Sequence, residues 1–171
     1  MYNSIKLQKI WGICMSKLKV ADFYYGAVLS TLFNNHINPA LIESGDDRQV
    51  YDFTTNKGDF RMFVKYRTEN KKTKREDYFS WDFNLVNDTD EIKRYISEGK
   101  NLVLFLVCGM NELRDSELAI LDKDDLQELF ELGKNTITIS RKKNEKAYRI
   151  AIGGGRTNSK QIKASRIEEL L

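Results

Sequence analysis

Arg61, Lys65 and Arg67 follow one another at even spacing in the stretch GDFRMFVKYR at 58–67, and Asp59 precedes them in the same alternation. In an extended chain successive side chains point to opposite faces. These four therefore share one face, and Phe60, Met62, Val64 and Tyr66 share the other. A row of cations suits phosphate oxygens, because such contacts need only positive charge and fix position without reading sequence. An acid and a lysine on one face also suggest acid–base chemistry. Asp59 and Lys65 are six residues apart, however, which is about 20 Å of extended strand, so they do not meet at one substrate atom.

Other chemistries are narrower still. His36 is the only histidine and no cysteine adjoins it, which excludes the usual zinc motifs and argues against a Ser/His or Cys/His nucleophile. A carboxylate can still act as general base, so catalysis is expected only in a metal-dependent form. GGGRTNSK at 153–160 has glycines and cations without the Walker spacing, and a flexible loop is expected there. Cys14 and Cys108 fit no metal motif. Cys108 ends the apolar run LVLFLVC and is expected to be a free buried thiol.

The elements that must position these residues follow from periodicity and turn chemistry. Ser16 can cap a helix running to about Asn34, with Leu18, Ala21, Tyr25, Val28, Leu29 and Leu32 as its apolar stripe. Pro39 opens a short strand, ALIE, and QVYDFT at 49–54 is a second strand. The turn TNKGD then joins it to the 59–67 strand as a hairpin. DYFSWDFNL at 77–85 alternates cleanly and is expected to extend the same meander. Asp88-Thr89-Asp90-Glu91 reads as a capping box for a helix that Gly99 ends. Residues 102–108 are apolar on both faces, the pattern of a covered central strand. Glu117–Leu121 is a strand, and Asp122 caps a helix over 123–132. NTITIS and AYRIAI form a hairpin around RKKNEK, and QIKASRIEELL is expected to be helical. The fold class is α+β, with a helix-β-β-β-(β)-helix-β core, a mixed sheet and a C-terminal helix and hairpin elaboration.

This order over residues 16–108 resembles the restriction-endonuclease-like superfamily, the PD-(D/E)XK nucleases, with residues 109–171 as the elaboration. The resemblance implies an aspartate on the second strand and an acid-x-lysine triplet on the third, with a further acid often supplied by the first helix. The carboxylates would hold Mg2+ and the lysine would position or activate the attacking water. Asp52 and Lys65 match the aspartate and the lysine. Phe63 stands where the acid before the lysine belongs, so the motif is degenerate. Asp22 and Glu43 are the remaining candidate metal ligands alongside Asp52. A protein of this kind is expected to contact DNA or RNA, in a defence system or a mobile element.

The chain has 171 residues, of which 41% are hydrophobic and 31% charged, values of one globular domain. Its longest apolar run is far short of the roughly 20 residues that span a bilayer, so no membrane contact is expected. Scarce cysteine and the absence of a secretory pattern at the N-terminus suit a cytoplasmic location. Met15 is a second candidate start, which would make residues 1–14 an extension.

Net charge is only +3, but it is segregated: 111–133 carry eight acids against two bases, and 134–166 carry ten bases against Glu145. A second basic cluster holds Lys71, Lys72, Lys74 and Arg75. Segregated cations point to a polyanion. Arg61, Lys65, Arg67, Lys71, Lys72, Lys74, Arg141, Lys142, Lys143 and Arg156 are the candidate nucleic-acid contacts. The competing expectation is a non-enzymatic module whose charged faces bind a protein partner or a second copy of the chain.

Overall fold

Residues 17–69 and 77–170 are described by the computed structural model. Helix α1 (Val20–Asn34) buries Ala21, Tyr24, Tyr25, Val28 and Leu32. Leu18 precedes the helix and is 70% exposed, so the apolar stripe begins one turn later than its spacing suggests. The helix closes in a Schellman turn, with His36 N–H donating to Phe33 O at 2.9 Å and Ile37 N–H to Leu32 O at 3.0 Å. His36 takes the left-handed position of that turn (φ 61°), where glycine is commonest.

Strands β1 (Ala40–Glu43), β2 (Gln49–Thr55) and β3 (Gly58–Arg67) form the expected antiparallel meander. Gly58, at φ 126°, lets the chain leave the two-residue turn between β2 and β3. The following strand, β4 (Tyr78–Asn84), does not extend this sheet. It departs to found a second one, pairing with a strand more than fifty residues later. Helix α2 (Thr89–Ser97) then returns the chain to β5 (Asn101–Cys108), which runs parallel to β3, and β6 (Glu117–Asp122) closes the first sheet antiparallel to β5. Its order is β1-β2-β3-β5-β6, so β6 belongs to the core sheet rather than to an elaboration.

After α3 (Lys123–Glu131), β7 (Thr136–Lys142), β8 (Ala147–Ala151) and β9 (Ser159–Lys163) complete the second sheet, ordered β4-β7-β8-β9. The tail expected to be helical from Gln161 is strand through Lys163, and only α4 (Arg166–Leu170) is helix. The fold is α+β, with one mixed sheet and one antiparallel sheet.

Two apolar clusters sandwich the first sheet. On one face Met62, Val64, Val103 and Phe105 pack against α1, with Tyr66 stacked on Tyr24 at 4.9 Å. On the other face Val50, Phe63, Leu104 and Leu106 meet Trp81 and Phe83 of β4, Ile137 and Ile139 of β7, and Ile92 of α2. Each large side chain fully removed from water contributes about 1.5–3 kcal/mol, and this shared cluster is what fastens the two sheets. Gly109 lies at the junction. Its N–H donates to Arg67 O at 2.7 Å, and its carbonyl accepts from Trp81 Nε1 at 2.8 Å.

Candidate functional site

The charged face of β3 is built as the alternation predicts, but its residues have other partners than those expected. Arg61 lies opposite Asp52 in the β2–β3 register. It grips that carboxylate with two hydrogen bonds of 2.8 Å and lies 4.5 Å from the centre of the Tyr95 ring. The Arg61 guanidinium holds the Asp52 carboxyl below its usual range. Lys65 is four strand residues from Arg61, about 13 Å away along β3. It is therefore not beside Asp52, and the proposed Asp52–Lys65 pair does not form.

Lys65 donates instead to Asp88 at 2.5 Å, and both residues are buried. Asp88 occupies the N-cap of α2, but its side chain makes no capping bond. Arg48 completes the group, reaching Asp88 at 2.9 Å, Glu43 at 2.8 Å and Glu91 at 2.6 Å. One carboxylate thus holds two cations, Lys65 from β3 and Arg48 from just ahead of β2, and Arg48 joins β1 to α2 through the same network. A buried carboxylate is tolerable only when paired and hydrogen-bonded in this way.

A hard cation does not fit the predicted ligand set. Asp22 is exposed in the first turn of α1, where it accepts from Lys19 N–H at 2.7 Å. That helix covers the sheet face opposite Lys65. Glu43 is taken by Arg48 and Asp52 by Arg61. Phe63, in the place of the missing acid, is fully buried beneath the Arg48 guanidinium at 5.1 Å. Among the described residues no three acids, histidines or cysteines are grouped so as to hold a metal ion.

The charge segregation along the chain becomes pairing in space. Glu117 takes Arg141, Asp122 takes Arg166 at 2.7 Å, and Asp125 takes Lys160 at 3.0 Å and Arg166. Arg149 and Arg156 both hold Glu145. Burial pushes the Glu145 carboxyl up, but Lys142 N–H and these two arginines outweigh it and hold it at about 2. Arg141 and Arg156 are therefore committed to internal acids, a correction to their expected role as open contacts. Arg67 is exposed and donates to Asp82 O while covering the Phe83 ring at 5.9 Å.

What remains open is the β7–β8 turn. Lys142, Lys143 and Lys146 are exposed there, and no ammonium of the three has an ion pair among the described residues. A β-turn with Glu145 N–H on Lys142 O at 3.0 Å shapes the tip, and Asn144 supplies its left-handed residue at φ 67°. Glu145, the one acid in the turn, is drawn inward by the two arginines. Lys143 N–H donates to Asp77 O at 2.8 Å, which fixes the turn beside the start of β4. Lys71, Lys72 and Lys74, just ahead of that start in sequence, lie outside the described residues. Lys146 was not among the predicted contacts. Its isolation from Glu145 was not visible from sequence, because RKKNEK places the acid between the bases.

No helix among the described residues is long and apolar enough to cross a membrane. No family model, curated protein or solved structure matches this chain.

Proposed function

We propose that this protein contacts nucleic acid through the lysine turn between β7 and β8, on a restriction-endonuclease-like core with a degenerate catalytic site. The observation that carries this reading is the contrast in charge. The arginines around the second sheet are matched to acids, whereas Lys142, Lys143 and Lys146 stand exposed together, with Glu145, the acid within their turn, drawn to Arg149 and Arg156. Three ammonium groups on a fixed turn, without an ion pair among the described residues, give phosphate contact by counterion release, with affinity that falls as salt rises. The order of α1, the β1–β3 meander, α2 and β5 supports the architectural half of the reading. Phosphodiester cleavage is not part of it, because Asp22, Glu43 and Asp52 are each bound elsewhere.

Anisotropy titration of a labelled oligonucleotide at about 50 mM and about 200 mM salt tests the reading. Binding at the lower salt that weakens steeply at the higher supports it, and no binding at the lower salt contradicts it. A protein-interaction module is the second reading. It draws on an apolar groove of about 440 Å³ between α1 and β6, rimmed by Phe23 and Leu113, which are 52% and 54% exposed. A light-scattering mass twice that of the chain would favour that alternative.

A further inference from the structure

Beside the lysine turn a cleft of about 510 Å³ opens between the start of β4 and the chain leading into β6. Its size lies in the range of small-molecule sites. Phe79 and Met110 supply the apolar part of its lining, and Phe79 is half-buried with its ring stacked on Trp81 at 6.3 Å. Lys143 and Asn144 of the turn form another side. Of the two acids present, Glu117 is taken up by Arg141, while Asp115 is 59% exposed and meets only the exposed Arg114 at 3.8 Å among the described residues, a loose contact that leaves it able to accept from a ligand. An aromatic ring, an amide, an acceptor and a cation around one opening match the parts of a single nucleotide: base face, base edge and phosphate.

We infer that this cleft receives one unpaired base of the nucleic acid whose backbone the lysine turn holds. The inference rests on the proposed nucleic-acid reading and narrows it to strands that offer a free base. Phe79 stacks on the base, Asn144 and Asp115 meet its edge, and Lys143 meets the adjoining phosphate. Among the described residues the exposed aromatics, and the neighbouring Tyr78, are placed elsewhere. Tyr78 carries the Arg156 guanidinium 5.4 Å from its ring centre, and the exposed Phe23 and Phe33 lie on α1, across the first sheet. A paired base within a duplex has no face to give Phe79.

The test titrates the full chain with single-stranded DNA, single-stranded RNA and duplex DNA of one length and sequence, at fixed salt. The expected result is tighter binding of at least one single strand than of duplex. Phe79→Leu keeps the apolar packing and should weaken single-strand binding by about tenfold or more while leaving duplex binding unchanged. Asn144→Gly suits the left-handed backbone, so it keeps the turn, and should weaken single-strand binding about threefold or more. Duplex bound as tightly as both single strands, or an Asn144→Gly variant that binds single strands like the parent, overturns the base site and leaves the lysine contact standing. Failure to bind any of the three probes overturns both.

Discussion

Asp88 sits where a helix cap belongs and spends its carboxylate elsewhere. The residues DTDE spell a helix start correctly, and α2 does begin there. Nothing local reveals that Lys65, on a strand 23 residues earlier, and Arg48 will both arrive at this oxygen pair. That is a tertiary fact, and local pattern rules cannot supply it. Replacing Asp88 by alanine leaves the buried Lys65 ammonium unmatched, while Arg48 keeps Glu43 and Glu91, and should lower stability by about 3–5 kcal/mol in urea unfolding. Adding Lys65→Met should return part of that loss. A single variant as stable as the parent would show the network to be slack. Glu145 gives a pH signature. Its folded pKa of about 2 lies below the ordinary value near 4.5, so its contribution is present above pH 4.5 and is lost as pH falls from there toward 2. Glu145→Gln should flatten that part of the stability profile, and an unchanged acid limb would contradict the assignment.

The hairpin β2–β3, the covered strand β5 and the hairpin β7–β8 were legible because period-two alternation and turn residues are local signals. The alternation of β4 was equally clear, but its sheet was not. Adjacent strands usually pair, and only the packing of Trp81 and Phe83 against β3, β5 and β7 reveals the departure. QIKAS holds helix-compatible residues, and the pairing of β9 with β8 overrides that preference. At the junction of the sheets, a Cβ on Gly109 would lie 2.1 Å from Arg67 O and 2.7 Å from Tyr24 OH. Gly109→Ala should therefore cost more than about 3 kcal/mol, or prevent folding. A melting temperature equal to that of the parent would refute that close approach. His36→Gly should act in the opposite direction, raising stability by about 0.5–1 kcal/mol in the Schellman turn that ends α1.

Across the whole molecule, the acidic and basic halves of the C-terminal region are partners, which composition and charge runs alone cannot distinguish from two opposed binding faces. Pairing removes Arg141, Arg156, Lys160 and Arg166 from the reckoning. Besides the half-buried Lys134, the bases of this region without an ion pair among the described residues are the exposed Lys142, Lys143 and Lys146. The candidate catalytic set dissolved for a related reason. Asp52 and Lys65 share a sheet face, but the β2–β3 register sets Asp52 opposite Arg61. The most direct test compares the parent with the Lys142→Gln/Lys143→Gln/Lys146→Gln variant across a salt series on one oligonucleotide. If three lysines each neutralise a phosphate, the variant should bind more weakly at low salt. Its slope of log affinity against log salt should be shallower by about 2–3. A variant with the affinity and slope of the parent would contradict the assignment of this turn as the nucleic-acid contact.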